Sequence, residues 1–374
     1  MIKKTVLFLG MIMSFGTFSQ NKFTFDFYNQ LDGEENILFS PISIKTAFAM
    51  VYEGADSETK KEFETVFNFK PDNSSYYDEL KQLKEVAKIS NSVWIQRKFD
   101  VLDSYIKTLK KHFETEPYST DFLGNPKESA DKINAWIESN TEGMIKKMVS
   151  AKDVQDFKLA LVNAIYFKED WSVPFDEKRT KVEKFTNLDK SKINVKMMHR
   201  SDFFRAHSGE KEKVIELPYE GGKTSMIIIL PDRMNSYKLN EDKYSQLIAS
   251  GYRQKVNFYL PRFTFETSTV DLKKPLIDLG LNIVFTDGAD LSKIRKERDL
   301  KVGKALHKAK IIVNEEGTEA AAATVVGVIA TTSVGPPPKP LEIRVNKPFF
   351  YFIKDNTTNS ILFMGKMNEM SEEG

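Results

Sequence analysis

The chain has 374 residues, 41% hydrophobic and 12% aromatic, enough for one large domain or two ordinary ones. Its 55 basic and 53 acidic residues are well mixed and leave a formal charge of +2, which argues against a nucleic-acid or membrane-surface protein. No cysteine occurs, so disulfide and thiol chemistry and a lipid-anchored cysteine are excluded.

Lys3 and Lys4 precede an apolar run over residues 5–15, followed by Gly16, Thr17 and Ser19. This is the pattern of a secretory signal, with cleavage expected after Ser19, and the run is short for a membrane span. Residues 20–374 are then expected to form one domain of a secreted or periplasmic protein, with no linker or internal repeat dividing it.

"NILFSPISIKTAFAMVYEGA" (36–55) predicts a short strand, a Ser-Pro turn and a helix with Ser43 as N-cap. Residues 78–89 read as a helix, in which Lys81, Lys84 and Lys88 share one face. Glu79 and Glu85 interrupt that positive field, so it reads as a solvated face rather than an anion site. A strand follows at 91–96, then a helix at 131–149 ending near Gly143. From there strands dominate. Residues 159–168 are nearly all apolar, as a buried central strand should be. Residues 214–231 form a hairpin turned at Gly221 and Gly222. Residues 256–266 read as one strand, in which Pro261 signals an edge or a bulge. A short helix at 271–281, a strand within 305–317 and a C-terminal hairpin turned at 355–359 complete an α+β pattern.

Catalytic motifs are missing. There is no G-x-S-x-G elbow, H-E-x-x-H, phosphate loop or G-x-G-x-x-G. His112, His199, His207 and His307 are scattered, with no pair at metal-ligand spacing, so no metal or cofactor is expected. Abundant carboxylates leave a dispersed acid/base pair as a remote enzyme reading.

The unusual segment is the connection from Glu315 to Pro340, well beyond the ~15 residues that connections in compact domains normally reach. "EEGTEAAAATVVGVIATT" (315–332) starts with the best helix former and continues with β-branched strand formers. As a strand, Thr318, Ala320, Ala322, Thr324, Val326 and Val328 would share one small, uncharged face. Nothing from 318 to 329 is bulky or proline, so the segment suits two states: an exposed loop, and a strand slid between existing strands. Gly317 is expected to serve as the hinge because glycine accepts φ values other residues resist.

"EEGTEAAAAT" resembles the proximal hinge of an inhibitory serpin, and the resemblance extends along almost the whole mature chain. "NILFSPISIKTAFAM" resembles the family's strand-to-helix signature, and "LVNAIYFKEDWSVPF" its central sheet strand and turn. "LPRFTFETSTVDLKKPLIDLGLNIVFTDGADLSKI" and "VNKPFFYFIKDNTTNSILFMGKM" resemble its later hairpin and helix and its C-terminal strands.

The resemblance implies helices around a large central sheet, an exposed reactive-centre loop, and suicide inhibition of a serine protease without catalysis by the chain itself. It implies that Glu315, Glu316, Gly317, Thr318, Glu319 and Ala320, Ala321, Ala322, Ala323 form the hinge. It also implies that Ser40, Ser43, Asn163 and His307 are the polar cluster under the opening sheet, with Trp171 where insertion starts. Family spacing places the scissile bond at Thr331–Thr332, with Ala330–Thr331 as the alternative. Val328, Ile329 and Ala330 suit a small hydrophobic pocket, and no Lys or Arg lies between Glu315 and Lys339. The expected partners are therefore elastase-like or subtilisin-like serine proteases, with cysteine proteases as a secondary option. A monomer is expected, with loop–sheet polymers a liability of any insertable strand. The runner-up is a non-inhibitory carrier on the same fold, against which the small-residue hinge counts.

Overall fold

A computed structural model describes residues 21–31, 33–83, 88–155, 157–318 and 339–372. The signal segment, Lys84 and Glu85 of the lysine face, and loop residues 319–338 lie outside the described residues.

The chain opens with α1 (Lys22–Leu31), β1 (Ile37–Phe39) and α2 (Pro41–Tyr52). Then come α3 (Ser57–Phe67), α4 (Ser74–Leu83), β2 (Lys88–Gln96), α5 (Asp103–Phe113) and β3 (Tyr118–Thr120). Next are α6 (Pro126–Asn140), the single turn α7 (Ala151–Val154), β4 (Leu159–Tyr166) and β5 (Glu169–Asp170). The strand-rich part holds β6 (Lys181–Thr186), β7 (Lys192–Ser208), β8 (Glu212–Pro218) and β9 (Thr224–Pro231). It continues through α8 (Glu241–Ser250), β10 (Tyr252–Pro261), β11 (Phe263–Glu266), β12 (Val270–Asp271) and α9 (Lys273–Asp278). The last strands are β13 (Lys304–Val313), β14 (Gly317–Thr318), β15 (Leu341–Arg344), β16 (Phe349–Asp355) and β17 (Ile361–Met367).

Two sheets organise these elements. One runs β1-β17-β16-β9-β8-β7-β10-β15, with β6 on β7. The other, which carries the site, runs β3-β2-β4-β13-β14-β5, with β11 and β12 on the far edge of β13. α2 lies at the centre of the core and packs on β2, β4 and β17. Of its residues only Lys45 is not buried, and the Lys45 ammonium sits 4.9 Å over the Tyr76 ring. A helix buried on all sides draws its stability from packing rather than from an amphipathic stripe.

Several boundaries differ from the sequence expectations. The N-cap of α2 is Ser40, whose hydroxyl accepts from the Ser43 N–H at 3.2 Å, with Pro41 in the first turn. Proline has its φ preset for that position and needs no N–H there. The helix expected over 78–89 ends at Leu83, because residues 88–95 are taken up in an antiparallel ladder with β4. The single strand expected over 256–266 is two strands in different sheets, broken at Arg262. Pro261 closes β10 past Tyr259, the last residue paired with β15, so its missing N–H leaves no ladder partner unsatisfied. The hairpin turn at Gly221 and Gly222 is as expected, with left-handed φ of 72° and 67°.

Gly365 on β17 faces Tyr351 on β16 across the ladder, and a Cβ there would sit 2.0 Å from the tyrosine ring. Tyr351 is fully buried and cannot swing into solvent. Gly365→Ala should therefore destabilise the fold by about 1–3 kcal/mol through overpacking. Equilibrium unfolding in urea checks this; an unchanged midpoint would contradict the packing described.

Candidate functional site

The site is built around the contact between β4 and β13. These strands pair in parallel from Ala160 opposite Lys304 to Ile165 opposite Ala309. At the middle of the ladder Asn163 lies opposite His307, and on the other edge of β4 it lies opposite Asn91 of β2. Below them the first turn of α2 supplies two serines. The Ser40 backbone N–H donates to His307 Nε2 at 3.2 Å. Nε2 is thus the acceptor, so a neutral ring carries its proton on Nδ1, which donates to Asn163 Oδ1 at 2.5 Å. The Asn163 amide donates to both Ser43 Oγ and Asn91 Oδ1. The four residues picked from sequence, Ser40, Ser43, Asn163 and His307, thus form one connected network, none more than 1% exposed. Asn91 is its unforeseen fifth member; its only sequence signal is an amide within a predicted strand.

Burial pushes the His307 imidazole down to about 3. The folded protein therefore keeps this ring neutral, whereas an unfolded chain takes up a proton below ~6.5. Stability due to His307 should be lost as pH falls from about 6.5 towards 3, at a slope approaching ~1.4 kcal/mol per pH unit. His307→Gln, less stable than the parent at pH 7, should close the gap as the solution is acidified. Parallel denaturant titrations check this, and a gap independent of pH would refute a buried neutral histidine.

Above Ile165 and Ala309 the two lines of strand part, and β14 is wedged between them. Thr318 pairs with Val313 on one side and Glu169 on the other, and Gly317 pairs with Asp170. Both ladders of β14 are antiparallel. The first residues of the long connection are thus already strand within the sheet. Thr318 is fully buried, its hydroxyl 2.7 Å from that of Tyr219, whose ring stacks on Trp171 at 4.6 Å. The Trp171 indole N–H donates to the Asn314 carbonyl (2.9 Å), and its backbone N–H to the Glu316 carbonyl (2.8 Å). Trp171 therefore clasps the strand's turn from two directions.

Glu315, expected in the hinge, is a buried anchor. Its side chain is 2% exposed, accepts from the Thr180 hydroxyl at 2.6 Å, and lies 2.9 Å from Arg262 Nε. Its carbonyl accepts from the Phe175 N–H at 2.8 Å. Gly317 is required for a reason other than the expected one. It does not adopt a left-handed φ; instead a Cβ would sit 2.3 Å from the Glu169 carbonyl oxygen on the neighbouring strand. Tyr219 was not foreseen, because its role depends on a residue of a distant hairpin reaching the wedge.

The connection returns in the other sheet. β15 lies parallel to β10, with Leu341 opposite Val256 and Arg344 opposite Tyr259. The Arg344 guanidinium lies 3.5 Å over the Tyr259 ring and pairs with Glu183 at 2.5 Å. The expected hinge residues Glu319 to Ala323, the specificity residues Val328, Ile329 and Ala330, and the bond at Thr331–Thr332 lie outside the described residues. His112 and His199 stack on Tyr77 and Tyr259, apart from one another. Among the described residues no group of three or more His, Asp or Glu is placed to hold a metal ion.

Comparison with known proteins agrees with this arrangement. The family model described as "Serpin (serine protease inhibitor)" matches residues 18–370. Serpin B4 of Homo sapiens is 36% identical, over 94% of this chain and 98% of its own. Neuroserpin of Gallus gallus is 35% identical, over 91% and 88%. An uncharacterized serpin-like protein of Methanosarcina acetivorans is 35% identical, over 93% and 86%. Among solved structures, uncleaved ovalbumin superposes with a TM-score of 0.83 at 28% identity, covering 94% of this chain and 99% of that one. With the family model spanning nearly the whole length and the fold matched end to end, the chain belongs to the serpin family.

Proposed function

We propose that this serpin is an exported suicide inhibitor of serine proteases of elastase-like or subtilisin-like specificity. The observation that carries the reading is the wedge: Gly317 and Thr318 are already paired on both edges, between β5 and β13. The residues that follow keep the alternation of small side chains that Thr318 begins.

The protease hydroxyl attacks the Thr331 carbonyl carbon, the Thr332 amine leaves with a proton, and an ester joins the protease to Thr331. Cutting frees the segment from its tether at β15. The wedge then extends down the line between β4 and β13, and six registered pairs of a parallel ladder give way to antiparallel ladders on both sides of the new strand. Antiparallel pairing is slightly the more stable per residue, and every inserted residue gains partners it lacked in the loop. The protease, still esterified, is carried along and its site is distorted before water can complete hydrolysis. Specificity follows from what the loop lacks: it offers no cationic side chain before Lys339, and Lys339 precedes Pro340.

Mixing the mature protein with an elastase-type or subtilisin-type protease should yield a band near the summed mass on a denaturing gel. It should also release a peptide beginning at Thr332. Cleavage should raise the unfolding temperature. A cut chain with no complex and no gain in thermal stability would overturn the inhibitor reading and favour a carrier.

Thr318→Arg tests the wedge directly. An unpaired cation at that buried position costs several kcal/mol. The arginine should therefore expel β14 from the sheet in the uncut protein, and since ~1.4 kcal/mol is tenfold in rate, re-entry at this position should slow insertion by tenfold or more while loop cleavage continues. The variant should be consumed as a substrate, with more inhibitor molecules cut per protease trapped. An unchanged stoichiometry would show that Thr318 need not be buried for trapping.

A further inference from the structure

We infer that His199 is an acid-sensitive latch on β15: the neutral ring holds that strand against β10, and the protonated ring lets it go. His199 on β7, Tyr259 on β10 and Arg344 on β15 stand in one row across three strands. Side chains in register on neighbouring strands point to the same face, so these three meet. The imidazole stacks on the Tyr259 ring with centroids 4.3 Å apart and planes 10° off parallel. From the other side of β10, the Arg344 guanidinium lies 3.5 Å from the centre of the same ring. Beyond His199, Arg179 in the turn before β6 continues the row, its Nη2 2.8 Å from His199 Nδ1.

A guanidinium only donates. His199 Nδ1 is therefore the acceptor, and the neutral ring carries its proton on Nε2, which is buried and has no partner among the described residues. A second proton can go only to Nδ1, where it faces the Arg179 N–H groups. The hydrogen bond then becomes a contact between two donors, each on a cation. The surroundings give the new charge little relief. Burial, then Arg179 and Arg344, hold the imidazole below its ordinary range; Glu183 on β6 opposes them and Lys181 on the same strand adds to them. Glu183 is already paired with Arg344 at 2.5 Å, and Glu342, one row away, lies 3.5 Å from Arg344. Arg200, next on β7, points to the other face and pairs with Asp202. A cation over Tyr259 gains some attraction from the ring, but Arg344 already draws on that ring from the other side.

The strand so held is a weak point of the sheet. β15 is four residues long, lies at the end of its sheet, and among the described residues has β10 as its only strand partner. With four registered pairs in that ladder, the stack of Arg344, Tyr259 and His199 is a large share of its attachment, beside the buried side chains of Ile343 and Val345. Once β15 peels away, Arg344 is gone and His199 meets solvent, so its proton affinity returns towards that of a free histidine at ~6.5. The opened row then binds a proton that the closed row resists. Opening should therefore become easier by up to about tenfold for each pH unit below that value, until the closed row is itself protonated.

Amide hydrogen exchange of the mature protein, corrected for the intrinsic pH dependence of exchange, tests this without any protease. Between about pH 7.5 and about pH 5.5 the protection of residues 341–345 should fall roughly tenfold in the parent. The β16–β17 hairpin should stay better protected than 341–345 at both values, because β15 opens without the rest of the fold. His199→Gln, whose amide oxygen accepts from Arg179 at any pH, should hold its protection over the same interval. Arg179→Gln, which can turn its amide to accept from a protonated ring, should shrink the fall well below that of the parent. Protection of 341–345 that ignores pH in the parent, or falls equally in His199→Gln, would overturn the latch. So would a hairpin that exchanges no more slowly than β15, since β15 would then open only with the whole protein. If the unfolding midpoint shows that His199→Gln does not fold, Arg179→Gln decides: a fall as large as the parent's overturns the inference, and a smaller one supports it.

Discussion

The parallel contact between β4 and β13 is the constraint on which the rest of the molecule turns. Two strands distant in sequence lie side by side over six registered pairs, and directly above them the same two lines are held apart by a two-residue wedge. A sheet that is closed below and split above has a built-in direction of opening. Within the split, Gly317 fits against Glu169 only because it lacks a Cβ. In the proposed mechanism the split runs downwards only once the covalent link to β15 has been cut. In the proposed mechanism the tension lies between a sheet able to accept another strand and a loop held at both ends until it is cut.

The ends of that tether are built differently. At the entrance, backbone groups of Asn314, Glu315 and Glu316 are taken by Trp171 and Phe175, and the Glu315 carboxylate is buried against Thr180 and Arg262. Removing a partner from a buried charged group costs far more than the pair contributes, so this end is fixed firmly. At the exit, four residues of β15 lie parallel on one strand, steadied by Arg344 over Tyr259. The entrance is thus the firmly fixed end. The Trp171 clasp holds the turn that aims Thr318 into the gap, and in the insertion proposed above this orientation would persist as the strand enters from the top.

Much of this was readable from the residues alone, and the failures have physical causes. Local chemistry was legible: the Gly221–Gly222 turn, the apolar run of β4 and the hairpin at 355–359 follow from propensity and alternation. What long-range pairing decides was not. Residues 84–89 carry helix formers, yet β2 starts at Lys88 because β4 offers a ladder there. Pro261 was taken to mark an edge or a bulge, whereas β10 is paired on both sides and ends there; the change of sheet at Arg262 is visible only in three dimensions. Ser43 was placed as the cap, whereas Pro41 shifts the helix start to Ser40 and leaves Ser43 free to face Asn163. Asn91 and Tyr219 carry no local mark of their partners. Gly317 was singled out for its φ and is needed for its missing Cβ.

The chemistry of the cluster beneath the ladder bears on how easily the strands part. Its members are two serines, two asparagines and a histidine that burial keeps neutral. A buried ion pair across this line would resist separation by several kcal/mol, because each charge left alone must be desolvated without compensation. Neutral groups left unpaired cost about 1–3 kcal/mol each, and less if a new backbone arrives to meet them. A wholly apolar seam would part without that penalty, but it would offer the incoming strand no polar partners and the closed register no fixed reference. Neutral hydrogen bonds between Asn163 and His307 hold the closed register without making it permanent. In the insertion proposed above, their position at the centre of the ladder would set the barrier halfway along the path of the entering strand, after the wedge has lengthened and before the full antiparallel pairing is gained.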